Sequence, residues 1–598
     1  MRIEDYALIG DTQTAALVGR DGSLDWLCLP RFDSPACFAA LLGSRDHGRW
    51  RIAPASGDVT VTRRYVPGTL VLETTFSTPT GTVRLVDCMP VRGEAPDVVR
   101  VVEGVSGRVA MAMDLVIRFD YGAAVPWVRR VDGALLAVAG PDAVELRTPV
   151  ETRGEGLATV AAFEVSEGDR VPFVLTWHPS HEPAPPAVHA DRAVRDTVAW
   201  WRRWSGAYRG TDAHRDLVVR SLITLKALTY APTGGLVAAP TTSLPEEIGG
   251  VRNWDYRYCW LRDATFSLYA LMLGGYDAEA TAWRDWLLRA AAGAPDQLQI
   301  MYGPAGERRL PELELDWLPG YEGSRPVRVG NAASDQFQLD VYGEVMDCLH
   351  QARRAGVETD ENVWRFQLAL MECLEGRWRE ADEGIWEVRG PRRHFTHSKV
   401  MAWVAADRAV KAVERFGGDG PADRWRALRR EIHDEVCREG YDAGRGAFTQ
   451  SYGRDELDAS LLMIPLVGFL PATDPRMVGT VEAIERELCD SGFVRRYAAG
   501  SLGEVDGLPG GEGAFLPCTF WFADNLILQG RRDEGAALFD RLAALANDVG
   551  LLAEEYDPAT RRMLGNFPQA FTHVALVNTA HNLGAGRSPA RERGDGTG

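Results

Sequence analysis

The sequence predicts two domains of different construction, an N-terminal β-sandwich followed by an (α/α)6 barrel of paired helices. Three observations predict this. Residues 1–190 carry short β-branched or alternating runs, separated by Gly, Pro, Asp and Asn, the pattern of an all-β sandwich. From residue 193 the apolar spacing switches to the helical period. The helical segments then alternate between those apolar over most of their circumference and those with one charged face, as inner and outer helices should.

In the first domain the expected strands are 58–66, 69–77, 82–90, 97–105, 112–119, 134–140, 143–148 and 157–165. HEPAPPAVHADR (181–192) is punctuated by Pro and His and reads as a linker. A connecting helix is expected over 193–208, within a linker-helix unit spanning 191–212. Twelve helical segments follow, beginning near Ala213, Trp260, Ala278, Ser334, Glu361, Phe395, Pro421, Asp458, Pro475, Phe515, Asp533 and Ala570. Those near 260, 334, 395, 458, 515 and 570 are the apolar ones, as in SLLMIPLVGFL and FTHVALVNTAHNL. Six inner and six outer helices make a barrel over 213–586. A continuous helical solenoid is the alternative, weakened by the lack of any repeated sequence period. Residues 587–598 are a disordered tail by composition.

The connections point to one functional rim. Segments leading into the apolar helices, 241–259, 295–333, 379–394, 447–457, 498–514 and 551–569, are mostly long and rich in Gly, Trp, Tyr, Glu and Arg. Long loops in compact domains are usually functional.

Composition excludes several classes. In 598 residues, 66 Lys and Arg stand against 84 Asp and Glu, a net charge of −18 that disfavours general binding to nucleic acid or anionic membrane. The nine cysteines include no CxxC pair, which argues against a disulfide framework or a zinc module. No run approaches the roughly 18 apolar residues of a membrane span, and no secretory signal is evident, so a cytoplasmic protein is expected. There is no HExxH and no G-x-S-x-G elbow, and the Gly-rich pieces lack the context of a phosphate loop.

Three rim segments carry candidate chemistry. NWDYRYCWLRDATFSLYAL (253–271) brings aromatic residues to Arg262 and Asp263. These two read either as an ion pair at a helix start or as a sugar clamp, Arg donating and Asp accepting hydrogen bonds to neighbouring hydroxyls. EGIWEVRGPRRHFTHSKVMAW (383–403) sets Glu387 beside Trp386. Burial against an indole raises a carboxyl pKa, which suits a general acid. LLAEEYDPATRRMLGNFPQAFTHVALV (551–577) offers Glu554 and Glu555, which point opposite ways if extended, so at most one should face a pocket. Two carboxylates meeting on one rim are what glycoside hydrolysis requires. His394 and His397 lack further metal ligands nearby in sequence and read as rim or core histidines.

Nearly the whole chain resembles the glucoamylase and trehalase family of inverting glycoside hydrolases, glycoside hydrolase family fifteen. The resemblance rests on the opening IEDYALIGDTQTAALVGRDGSLDWLCLPRFDSPACFAALLG, then YRYCWLRDA, PVRVGNAASDQFQLDVYGEV, IWEVR followed by HFTHSKV, GEGAFLPCTFW and LLAEEYD. It implies a six-hairpin glycosidase with Glu387 as general acid and Glu554, rather than Glu555, as general base. It places Arg262 and Asp263 on the terminal glucose, Arg496 as a substrate-binding arginine, and Tyr256 and Tyr258 as pocket aromatics, with Trp254, Trp260 and Trp386 as pocket walls. Family members commonly carry a second acid after the first, where this chain has Val388. Glu344, on the expected helix QLDVYGEVMDCLH, is a rival acid best read as a helix-face residue. The implied reaction releases β-glucose from an α-glucoside, α,α-trehalose before maltooligosaccharide or α-1,6-glucan ends, with no cofactor and no metal required. The only partner implied is the small-molecule or oligosaccharide substrate. A non-catalytic carbohydrate binder on the same fold is the alternative of another class, and homo-oligomerisation stays open.

Overall fold

The computed structural model describes residues 1–55, 57–210, 214–356, 361–498 and 507–584. The expected tail and part of the 498–514 segment lie outside these residues.

The N-terminal domain is built from antiparallel strands that all join one network. Its organiser is a single strand, Asp97–Val116. The first half of that strand pairs with Gly81–Cys88 and Arg170–Pro179. The second half pairs with Arg49–Pro54 and Ala158–Ser166. The sequence reading ended one strand at 105 and began the next at 112, and so broke this strand in two around the glycines at 104 and 107. They serve instead where the strand changes neighbours. A Cβ on Gly104 would lie 1.9 Å from the Ser166 carbonyl oxygen, and Gly107 has φ +64°. Only glycine fits so close an approach or adopts that conformation freely.

Arg100, fully buried on this strand, fastens the layers. Its Nε donates to Asp87 Oδ1 at 2.7 Å, and its Nη atoms donate to the carbonyls of Trp50 and Gly22 at 2.8 Å. Strands Tyr6–Gly10, Ala15–Gly19 and Ser23–Cys28 went unseen in the sequence because every residue in them is buried. Strands buried on both faces lose the alternation that marks half-exposed ones.

Residues 190–205 form the connecting helix. Trp201 is buried, and Trp204 stacks on Tyr276 with centroids 4.1 Å apart while its Nε1 donates to Glu279 at 2.6 Å. The helix thereby clamps the second domain as well as the sheet, more than a linker would.

Twelve helices of the second domain begin at Arg215, Arg262, Asp277, Asp340, Glu361, Thr396, Ala422, Met463, Pro475, Leu516, Arg532 and Ala570 among the described residues. Six of them, Arg262–Leu273, Asp340–Arg354, Thr396–Phe416, Met463–Leu466, Leu516–Leu528 and Ala570–Leu583, contact one another in chain order, and the last contacts the first. The other six pack outside this ring. Ala422–Glu439 is typical, burying only Trp425, Leu428, Ile432 and Val436, spaced at three and four residues. Two starts differ from expectation. The helix sought near Ser334 begins at Asp340, after a 3-10 turn at Ala332–Asp335. The segment after Asp458 is a 3-10 turn, Ala459–Leu462, and then only Met463–Leu466, closed by Gly468 at φ +83°. The two domains share one continuous apolar core. Trp26 Nε1 donates across the junction to the Pro240 carbonyl at 2.8 Å.

Candidate active site

Loops on one rim of the helical ring line a partly open cavity. Glu246, Arg252, Trp254, Tyr256, Arg262, Trp386, Glu387 and Arg496 contribute to its lining.

Glu387 sits in a tight turn whose backbone N–H donates to the Gly384 carbonyl. Its φ is +57°, an uncommon conformation for a side-chain-bearing residue. Oε1 accepts from Trp260 Nε1 at 2.7 Å and lies 3.3 Å from Arg262 Nη1. Burial pushes the Glu387 carboxyl above its usual range, although Arg262 and the indole N–H pull the other way. Oε1 is the anchored oxygen.

Arg262 is the first residue of an inner helix, and both sequence readings of the Arg262–Asp263 pair have substance. Nε donates to Asp263 Oδ1 at 2.9 Å, while Nη1 donates to the Ile385 carbonyl at 3.0 Å and reaches Glu387. Asp263 Oδ2 is buried and receives no hydrogen bond within the protein.

Across the cavity, Nη2 of Arg496 lies 2.9 Å from Glu246 Oε2, 2.5 Å from Glu512 Oε2 and 3.5 Å from Glu555 Oε1. Arg252 adds a second guanidinium, 4.0 Å from Glu246 and 3.7 Å from Glu512. One oxygen from each of the three carboxylates lies within 4.8 Å of the others, a spacing that could hold a metal ion. In this structure the Arg496 nitrogen reaches all three and serves as their cation. Arg496 therefore lines the cavity with its donors engaged by protein. Glu555 accepts from the Gly513 N–H at 2.8 Å and belongs to this network.

Glu554 is 1% exposed, deeper than the lining residues, and its Oε2 accepts from the Asn566 N–H at 3.1 Å. Burial, then the charge of Glu246, push its carboxyl up to about 8, with the Tyr256 phenol acting against them. Tyr256 lines the cavity and Glu554 does not.

The other expected residues divide. Trp254 is held between Arg328 and Arg389, whose guanidinium carbons lie 4.6 and 4.4 Å from its ring centroid. Trp386 is a wall whose Nε1 donates to both oxygens of Asp458, at 2.9 and 3.0 Å. Trp260 is buried behind Glu387 rather than lining the cavity. Tyr258 faces Asp255, Arg257 and, from the N-terminal domain, Tyr121 and Asp33, away from the cavity lining. Glu344 is buried, its carbonyl accepting from Thr265 Oγ1 at 2.8 Å, as a helix-face residue should be. His397 is buried and His394 stacks near Tyr452. Sequence reasoning missed Glu246, Arg252, Glu512 and Asp458. Asp458 had a legible signal, as a helix N-cap accepting from the Ser460 N–H at 2.7 Å. The others sit in loops without period.

An indole-anchored, buried carboxyl across a cavity from a carboxylate-rich wall is glycosidase chemistry, and the chain is a glycoside hydrolase. It belongs to the glycosyl hydrolases family 15, whose model matches residues 212–581, while residues 1–199 match a trehalase-like N-terminal domain. It is 41% identical to a trehalase of Mycobacterium tuberculosis over 96% of this chain and 88% of the relative. Identity to a trehalase of Thermoplasma acidophilum is 35%, over 95% and 98%. A crystal structure of a bacterial glucoamylase complexed with acarbose superposes with a TM-score of 0.72 at 12% identity, over 98% of this chain and 94% of that one, a likeness of fold alone. Among the described residues no helix is long and apolar enough to cross a membrane.

Proposed function

We propose that the chain hydrolyses α,α-trehalose to two glucose molecules with inversion, on an (α/α)6 barrel of about residues 213–586 that follows a β-sandwich of residues 1–190. The closed ring of six inner helices supports the barrel, and the long shared strand supports the sandwich. Glu387 is the general acid. The observation that carries this role is its anchored Oε1, held by Trp260 and Arg262, on a residue that lines the cavity. Oε2 protonates the glycosidic oxygen as the bond to C1 breaks. Glu554 is the general base, taking a proton from the water that attacks the opposite face of C1. An inverting pair stands roughly 6.5–9.5 Å apart to admit that water. Arg262 and Asp263 hold the terminal glucose, with the unpartnered Asp263 Oδ2 accepting from a sugar hydroxyl. Trp254, Tyr256 and Trp386 wall the ring faces, and Arg496 shapes the floor through its carboxylates. The likeness over nearly full length to trehalases favours trehalose as substrate.

The roles predict distinct losses. Glu387→Gln and Glu554→Gln should each lower kcat for trehalose about 10²–10⁴-fold, with sugar binding retained by calorimetry. Glu555→Gln should disturb the Arg496 network and cost less. A Glu387→Gln protein that turns trehalose over at the unaltered rate would overturn the assignment, and faster hydrolysis of maltose or isomaltose than of trehalose would overturn the substrate.

A further inference from the structure

The turn that carries Glu387 is gripped by a neighbouring loop, at atoms the proposed mechanism does not use. Residues 336–339 run from the 3-10 turn Ala332–Asp335 to the inner helix Asp340–Arg354. They bond to residues 382–388 at successive points. The Leu339 N–H donates to Asp382 Oδ2 at 2.9 Å, and the Phe337 N–H donates to Glu383 Oε2 at 3.0 Å. The Phe337 carbonyl accepts from the Glu383 N–H at 3.1 Å. The remaining contact reaches the backbone of Glu387 itself. Gln336 Nε2 donates to the Glu387 carbonyl at 3.1 Å and to the Val388 carbonyl at 3.2 Å. Two carbonyl acceptors at one end of a carboxamide identify that end as the NH2 group. The other end, Oε1, accepts from Gln338 Nε2 at 3.2 Å, and Gln338 is buried. The Gln336 carboxamide is therefore fixed at both ends.

A side-chain-bearing residue at φ +57° keeps that conformation only where its surroundings over-determine it. Two bonds close the turn from within, from the Glu387 N–H to the Gly384 carbonyl at 3.1 Å and from the Val388 N–H to the Glu383 carbonyl at 3.2 Å. Both engage N–H groups and leave the carbonyls of residues 387 and 388, which Gln336 takes together. Relaxation of Glu387 toward a right-handed conformation would turn its carbonyl off that amide. It would also carry the carboxyl off Trp260 Nε1 and Arg262, which belong to a different segment and hold Oε1 at 2.7 and 3.3 Å. Gln336 is half-buried and is not among the residues that line the cavity. Its route to the sugar runs through Glu387.

We propose that Gln336 is the positioning residue of the proton donor. Its carboxamide locks the left-handed turn at Glu387 and so keeps the carboxyl where it can protonate the glycosidic oxygen. Displacing a catalytic group by about 1 Å can cost roughly 10²-fold in rate, so a backbone lock on a single residue is enough to matter. The inference rests on the reading of Glu387 as general acid.

The test compares two leaving groups in Gln336→Met, which keeps the length of the side chain and removes its donor. Glucose leaves trehalose with a proton delivered to the glycosidic oxygen, whereas fluoride leaves α-glucosyl fluoride with little protonation. For trehalose, kcat should fall about 10–100-fold. KM for trehalose, and kcat for the fluoride, should stay within about threefold of the unaltered values. Gln336→Glu puts an acceptor where the donor stood, should show the same preference, and decides the matter if Gln336→Met fails to fold. Equal losses on the two substrates would mean that Gln336 merely supports the loop, and an unaltered kcat on trehalose would mean that the turn holds without it. Either result overturns the inference. Glu387→Gln, measured alongside, should show the same preference more strongly. Equal losses there would sink the reading of Glu387 as donor and this inference with it, whereas failure confined to the Gln336 variants leaves that reading standing. If the unaltered enzyme does not cleave trehalose, the substrate reading falls, and the same comparison is made on the α-glucoside it does cleave.

Discussion

Glu387 and Glu554 differ in how they meet their surroundings. Glu387 is tied at one oxygen by an indole N–H and by Arg262, both of which favour its charged form, and burial outweighs them. Glu554 has no cation in direct contact, and its nearest strong influence beyond burial is the like charge of Glu246. A carboxyl raised by a like charge is released when that charge is removed. Glu246→Gln should therefore lower the Glu554 pKa and carry the acid limb of the kcat/KM profile toward lower pH. Freeing Arg496 from one carboxylate acts in the same direction. Rate measurements across the acid range check this, and an acid limb moving to higher pH would contradict it. At this scale the sequence was informative where residue type and neighbour coincide, as at Trp386–Glu387 and Arg262–Asp263. It was blind to the Arg496 network, whose members lie at 246, 252, 496, 512 and 555. Their meeting is a product of the ring closing, and no local pattern records it.

Among the elements, periodicity carried the reading furthest in the helices. Ten of the twelve starts fall within two residues of expectation, because one-sided helices leave a 3.6-residue trace and all-apolar ones stand out as long apolar runs. The exceptions have local causes. The 3-10 turn at Ala332–Asp335 imitates a helix start, and the segment after Asp458 ends at once because Gly468 takes a left-handed turn. Strands were read less well. Half-exposed ones such as Leu72–Thr78 alternate and were found, whereas fully buried ones in the first 55 residues were not. The long strand Asp97–Val116 was read as two, 97–105 and 112–119, and Gly104 permits close packing within it. Gly104→Ala would drive a Cβ into the Ser166 carbonyl and should destabilise the protein by about 1–3 kcal/mol. Thermal or denaturant unfolding measures this, and an unchanged midpoint would contradict the close approach.

Across the whole molecule, the change of sequence style near residue 190 marked two domains, while the extent of their union was not legible. Trp26, Tyr121 and Asp33 of the sheet domain lie against the loop that carries Tyr256 and Arg262, through Pro240, Arg257 and Tyr258. Tyr258 resembles a pocket residue in sequence, yet it belongs to this junction. The sheet domain thus braces the back of the rim that holds Glu387. A shared apolar core means that neither part presents a finished surface to water on its own.

The central claim is single displacement at C1 by the pair Glu387 and Glu554, and the stereochemistry of the first product tests it most directly. Proton NMR followed from the first seconds of trehalose hydrolysis separates the α and β anomers of glucose before they equilibrate. Inversion at one ring and retention of configuration in the leaving glucose predict equal initial amounts of β- and α-glucose. Initial release of α-glucose alone would mean retention at the attacked carbon and would contradict the account.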